Sequence, residues 1–181
     1  MSYLRFLLLI LLLGVPKPSW AQQLLIPMDE SQSNHLKAYG LLFNHLKDGS
    51  KATWLLNYRG GSFLTSSNQE LIRKARIKNI HIEIISESQA AQIIQTIESP
   101  GSNTSVVNLE KAPRIAVYTP DQALPWDDAV TLALSYAEVE YDKIWDIEVL
   151  NGSLQNYDWL HLHHEDFTGQ YGKFWASYRN N

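Results

Sequence analysis

Six short apolar runs of five to seven residues punctuate this chain, and between them apolar residues recur at helical spacing. A strand repeats its faces every second residue and a helix every 3.6, so one segment cannot serve both patterns. Alternating the two along a chain points to an α/β class. The runs are Leu24 to Met28, Ala52 to Tyr58, Ile80 to Ile85, Arg114 to Thr119, Asp142 to Ile147 and Tyr157 to His163.

The intervals carry helix signals. Ser31 to Asn34 offers polar caps before a stripe of Leu36, Tyr39, Phe43 and Leu46, and Gly49 closes it. Arg59-Gly60-Gly61-Ser62 breaks the second run. Ser66 to Gln69 carries a capping-box pattern before a helix through Ala75, and Ser86 with Gln89 carries another. The latter helix is predicted to bury Ala90, Ile93, Ile94 and Ile97. Asp127 or Asp128 starts a helix that turns Ala129, Val130, Ala133, Leu134 and Ala137 inward. A last helical stripe is aromatic: Phe167, Tyr171, Phe174, Trp175 and Tyr178. Residues 99–113, rich in Ser, Pro, Gly and Asn, read as a linker or crossover. The spacing predicts an open, mostly parallel, doubly wound α/β sheet of about six strands, Rossmann-like or flavodoxin-like. Residues 22–98 form its first half and 114–181 its second; the alternative is two domains, the second cut short. Functional groups are expected at the C-terminal ends of the strands.

Before all this comes an address. Arg5 precedes the apolar stretch FLLLILLLGV, Pro16 and Pro18 break it, and Ser19-Trp20-Ala21 forms a small-x-small cleavage site. Residues 1–21 therefore read as a signal peptide cleaved after Ala21, for a periplasmic or extracellular protein. Ten apolar residues reach only about 15 Å as a helix, half of a bilayer core, so no stable membrane span remains after cleavage. Losing Arg5 and Lys17 takes the net charge from −4 to −6, which argues against a nucleic-acid partner. The chain has no Cys, which excludes a disulfide framework, a thiolate metal site and a Cys nucleophile.

The densest chemistry is Leu160-His161-Leu162-His163-His164-Glu165-Asp166. In a strand His161 and His163 share a face. They suit a divalent ion such as Zn or Mn, with His163, His164, Glu165 and Asp166 as acid–base or ligating groups. The plain alternative is a polar strand end running into an acidic first helical turn. Asp29, Glu30 and His35 follow the first strand and share a predicted sheet edge with Thr119 and Asp121, with helix capping as their simpler role. Asn57, Arg59, Gly60 and Gly61 follow the second strand, where glycines let backbone N–H groups approach an anion and Arg59 suits a phosphate or carboxylate. Dinucleotide, P-loop, Gly-x-Ser-x-Gly and His-Glu-x-x-His motifs are absent from the sequence.

The stretches IPMDESQSNHLKAYG, WLLNYRGGSF, PWDDAVTLAL and YDWLHLHHEDFTGQYGKF resemble an exported family of Bacteroidetes proteins commonly labelled asparagine synthetase B. The resemblance covers most of the chain after residue 24. Members of that family are longer, which makes this chain an N-terminal portion by that comparison. The label implies ATP-dependent, glutamine-fed conversion of aspartate to asparagine. This chain has neither the N-terminal Cys nucleophile nor the Ser-Gly-Gly-x-Asp-Ser motif of such enzymes. Leu154 to Leu160 also resembles, loosely, the strand entry of class I glutamine amidotransferase-like domains; where those carry the nucleophile, this chain has His163, His164 and Glu165. Together these features predict a ligand-binding or assembly module whose partner is a small molecule or an envelope protein. The alternative is a metal-assisted hydrolase built on the His161 to Asp166 cluster. Amide ligation, as the label says, is the most distant reading.

Overall fold

A computed structural model describes residues 22–119, 122–124, 126, 128–162, 173, 176, 177 and 179. The predicted signal peptide, His163 to Asp166 and the tail's aromatic stripe lie outside the described residues.

The fold is mixed α/β, but it is not one doubly wound sheet. β1 (Gln22–Ile26), α1 (His35–Lys47), β2 (Ala52–Leu56), β3 (Ser62–Ser66), α2 (Gln69–Ile77), β4 (Glu83–Ser86), α3 (Glu87–Ile97) and β5 (Ser105–Leu109) build the first part. Their strands form a five-stranded sheet in the order β4-β1-β3-β2-β5, antiparallel at every pairing. β6 (Ile115–Tyr118), α4 (Ala129–Ala137), β7 (Asp142–Ile144), α5 (Asp146–Leu150), a 3-10 turn (Ser153–Asn156) and β8 (Trp159–Leu162) follow. These strands form a separate parallel sheet of three, in the order β7-β6-β8.

The prediction of six mostly parallel strands fails at β3. Only Asn57 to Gly61 separate β2 from β3, far too few residues for a parallel crossover, so the pair must be an antiparallel hairpin. β3 then inserts between β1 and β2, which still run in the same direction and are still joined by a helix. In the same way β1 separates β3 from β4, which α2 joins. Each crossover exists, and each is split by a strand of opposite direction. β5 lies inside the Ser-, Pro- and Gly-rich segment and closes the sheet beside β2.

The caps that set helix starts are local. Asn34, Asn68 and Asp128 each accept backbone N–H bonds from the first turns of α1, α2 and α4, and Ser86 with Gln89 completes a capping box on α3. α1 buries Ala38, Leu41, Leu42, His45 and Leu46 against the five-stranded sheet's core of Leu24, Ile26, Phe63, Leu71 and Ile72. The predicted stripe is therefore rotated: Leu36 and Tyr39 stay more than 40% exposed. α3 covers the opposite face, over Leu25, Leu55 and Leu64. α1 turns a second side to α4, where Phe43 packs with Ile115, Leu134 and Ala137. This crossing carries the parallel sheet. Among the described residues no helix is long and apolar enough to cross a membrane.

His45 is buried in α1, with its Nε2 3.0 Å from Thr65 Oγ1. That hydroxyl spends its own proton on the Lys51 carbonyl at 2.8 Å, so His45 Nε2 is the donor. Burial lowers the His45 pKa, Asp48 opposes the shift and Lys74 adds to it. The unfolded chain thus takes a proton on this ring at higher pH than the folded one. His45 contributes full stability above its unfolded pKa, near 6.5, and loses it as pH falls below that value. Melting from pH 7.5 to 5 is expected to show a drop in midpoint that is smaller in His45→Gln, which keeps a donor toward Thr65 without a titrating ring.

Candidate functional site

The β7-β6-β8 order has a consequence for chemistry. The chain leaves β6 toward β7 on one side, then crosses back to β8 on the other. β6 is the strand at which this order reverses direction, and α/β sheets place ligand-binding groups at the carboxyl ends of strands near such a reversal. Three side chains stand there.

Asp128 is the N-cap of α4. Its Oδ1 accepts the N–H groups of Val130 at 2.7 Å and Thr131 at 3.0 Å. The same oxygen lies 3.2 Å from His161 Nε2, across the sheet on β8. The Asp128 side chain is 9% exposed and that of His161 19%. Burial pushes the Asp128 pKa up, but the two N–H donations and the nearby His161 more than offset it, so the carboxyl titrates below its ordinary value. An ionised carboxylate can only accept, so His161 Nε2 is the donor of this contact.

Thr119 follows β6 and still donates its N–H to Ile144 of β7 at 3.0 Å. It is 2% exposed, and its Oγ1 is buried without a hydrogen-bond partner. Val117 pairs in register with His161. Residues two apart on a strand share a face, so Thr119 lies on the His161 side, toward the N-terminus of α4. On the other face Tyr118 stacks on Trp145, 4.6 Å between ring centres, and donates its hydroxyl to Asp146.

A second cluster surrounds Arg59, at the β2–β3 turn. Its Nε donates to Asp29 at 2.7 Å, Nη1 to Glu83 at 2.8 Å and Nη2 to Ser31 at 3.4 Å. Arg59 holds the Asp29 carboxyl far below the usual carboxylate range, with Ser31 assisting. His35 reaches the same loop through Nε2, 3.0 Å from the Met28 carbonyl, and Gly60 lies against that carbonyl too. The predicted ligand-binding residues Asp29, His35, Arg59 and Gly60 are thus brought together, while Asn57 points away and donates to the Asn103 carbonyl at 2.8 Å. Arg59 spends its donors on the protein's own carboxylates, so this cluster acts as a clamp between the ends of β1, β2 and β4. Asp29 and Thr119 belong to different sheets and do not share the edge predicted for them.

Of the proposed metal ligands, His161 is described and His163 is not. Among the described residues no three His, Cys, Asp or Glu side chains converge as metal ligands. A cleft of about 450 Å³ opens between the sheets over Phe43, Leu46, Ile115 and Tyr141. Its rim charges Lys47 and Glu140 satisfy each other, as do Glu110 and Lys51.

Sequence patterns offer Asp127 and Asp128 as a carboxylate pair or, more simply, as a helix N-terminus, and do not connect either with His161. The second role of Asp128 depends on β6 lying beside β8, and no local signal encodes strand order. No family model, curated protein or solved structure matches the chain.

Proposed function

We propose that this chain is an exported ligand-binding module of the cell envelope, with its site at the C-terminal edge of the β7-β6-β8 sheet. The observation that carries the reading is the Asp128–His161 pair at the strand-order switch. Thr119 adds a buried hydroxyl that lacks a partner, and an unpaired buried polar group costs about 1–3 kcal/mol unless something fills its hydrogen-bonding capacity. The apolar leader and the cleavage site after Ala21 support export. The resemblance to the Bacteroidetes family labelled asparagine synthetase B supports an envelope protein, and the parallel βαβ order suits an amidotransferase-like half without its nucleophile.

The geometry bears on the metal-assisted hydrolase as well. His161 Nε2 is committed to Asp128, so a Zn or Mn ion would be bound through Nδ1. A second reading, assembly with an envelope protein, is favoured by β8 itself. Among the described residues it is an edge strand, exposing Trp159 and Leu162 at 44% and 40%, and such edges accept added strands.

Thermal melting of the exported protein against L-aspartate, L-glutamine, Mg-ATP, hexoses, Zn²⁺ and Mn²⁺ tests these readings. A saturable rise with one organic probe, weakened at least tenfold (about 1.4 kcal/mol) in His161→Ala, is expected. Stoichiometric Zn or Mn in the purified protein, with no response to any organic probe, would replace the binding reading by the metal one.

A further inference from the structure

We infer that the five-stranded sheet carries a second site, a groove beside α3 that takes an uncharged carbohydrate. It is separate from the β6–β8 edge and does not depend on the reading above. The groove encloses about 420 Å³ between α3 and the β2–β3 turn, at the C-terminal end of β2. Its floor is apolar: Leu25, Ile85 and Ile93 belong to the core under α3. Its walls are polar. Gln89, Gln92 and Thr96 follow one another at helical spacing along one side of α3, and Tyr58 lines the groove from the turn. An apolar floor with a few converging polar groups is the ordinary make-up of a small-molecule site.

The turn holds Tyr58 in place. Its neighbours Asn57 and Arg59 are non-glycine residues in the left-handed region, at φ 61° and 46°, a conformation that is uncommon and collects at functional sites. Gly61 and Ser62 both donate their N–H groups to the Tyr58 carbonyl at 3.0 Å. The ring itself packs against the core under α3.

Charge narrows the ligand. Arg59 closes one end of the groove and is the one cation lining it among the described residues. It donates to both Asp29 and Glu83, so two carboxylates already answer one guanidinium and an anion finds no cation to pair with. The groups left over are neutral. Gln89 Oε1 accepts from the Ser86 N–H and hydroxyl, which leaves its Nε2 as a donor. Thr96 Oγ1 gives its proton to the Gln92 carbonyl at 2.8 Å and remains an acceptor. The Gln92 amide and the Tyr58 hydroxyl have no hydrogen-bond partner among the described residues, and each can both give and take. Mixed donors and acceptors above an apolar floor, beside an aromatic ring, match a sugar, whose hydroxyls surround an apolar C–H face.

Calorimetric titration of the exported protein with cellobiose, maltose and inorganic phosphate tests this. The expected result is saturable binding of a disaccharide, at least tenfold weaker in Gln92→Ala and in Tyr58→Phe, and no binding of phosphate. Gln92 is exposed on α3 and alanine is the better helix former, so Gln92→Ala should melt no lower than the native protein and a lost signal reports the groove. Silence from both disaccharides overturns the inference, as does phosphate binding that Gln92→Ala weakens. Disaccharide binding that Gln92→Ala leaves unchanged overturns it too; where that binding fails in His161→Ala instead, the sugar belongs to the β6–β8 edge and the reading above stands.

Discussion

Gly40→Ala is expected to cost roughly 3 kcal/mol or more, the upper end of what an overpacked contact costs. Gly40 lies in α1 where α4 crosses it. A Cβ built there would stand 1.7 Å from the Ala137 carbonyl oxygen and 2.7 Å from its carbon. Both atoms are backbone, so no rotamer change relieves the clash. Nor is the crossing free to open. Asn44 Nδ2 donates to the Gly40 carbonyl at 2.9 Å and to the Glu138 carbonyl at 3.0 Å. Glu138 caps α4 in the left-handed region, at φ 61°, and bridges Lys37 and Lys78; these two lysines bring its carboxyl down to about 2. Alanine is the better helix former by up to about 1 kcal/mol, so the clash must exceed that gain before a loss is seen. Urea unfolding at neutral pH measures the net. Amide exchange adds location: β6 and β8 should lose protection before β1 and β3, because α1–α4 packing is what holds the parallel sheet. Gly49→Ala is the control. Its φ is +86°, but a Cβ there meets nothing within 4 Å, so only backbone strain of about 1–2 kcal/mol should appear. Equal losses at the two glycines would mean that the helix crossing is loose.

That contrast also marks how far the sequence could be read. Caps are local, and Asn34, Asn68, Ser86 with Gln89, and Asp128 are legible because a helix start depends on three or four neighbours. β6 and β8 are legible as apolar runs between breaks. β3 is not: Ser62-Phe63-Leu64-Thr65-Ser66 is five residues long, two of them strongly apolar, between a glycine turn and a helix cap. β5, Ser105-Val106-Val107-Asn108-Leu109, is hidden by the polar residues around it. Both gain their strand state from pairing with β2, a contact between elements that no window of one element contains. The same limit governs the site. His161 stands out by its neighbours, whereas its partner Asp128 is 33 residues away and is found only once β6 is known to lie beside β8. Arg59 shows the converse. Its turn is legible from Gly60-Gly61, yet the carboxylates that occupy it, Asp29 and Glu83, come from the loop after β1 and the start of β4.

Gly60→Ala should be the other large loss, again roughly 3 kcal/mol or more, and it should carry a pH signature. Gly60 has φ +80°, where a Cβ costs about 1–2 kcal/mol on its own. That Cβ would also lie 2.2 Å from the Met28 carbonyl oxygen and 2.9 Å from the Asp29 nitrogen. Met28 cannot retreat alone, because its N–H donates to the Arg59 carbonyl at 3.1 Å. The turn must therefore move, and Arg59 moves with it, away from Asp29 and Glu83. In the native protein Arg59 keeps Asp29 ionised far below the usual carboxylate range. A carboxyl with a depressed folded pKa contributes stability above its unfolded value, near 3.9, and loses it as pH falls below that. With the clamp displaced, Asp29 returns toward its ordinary pKa and that contribution is already gone at neutral pH. The stability gap between native protein and Gly60→Ala should thus be constant from pH 7 to about 5 and narrow below about 4. Arg59→Met should narrow in the same range, starting from a smaller gap, since it removes the charge without the clash. Urea midpoints at pH 7, 5 and 3 for all three proteins decide it. A gap that stays unchanged down to pH 3 in both variants would show that the Arg59–Asp29 contact contributes nothing to folding, and would leave Gly60 with a purely steric role.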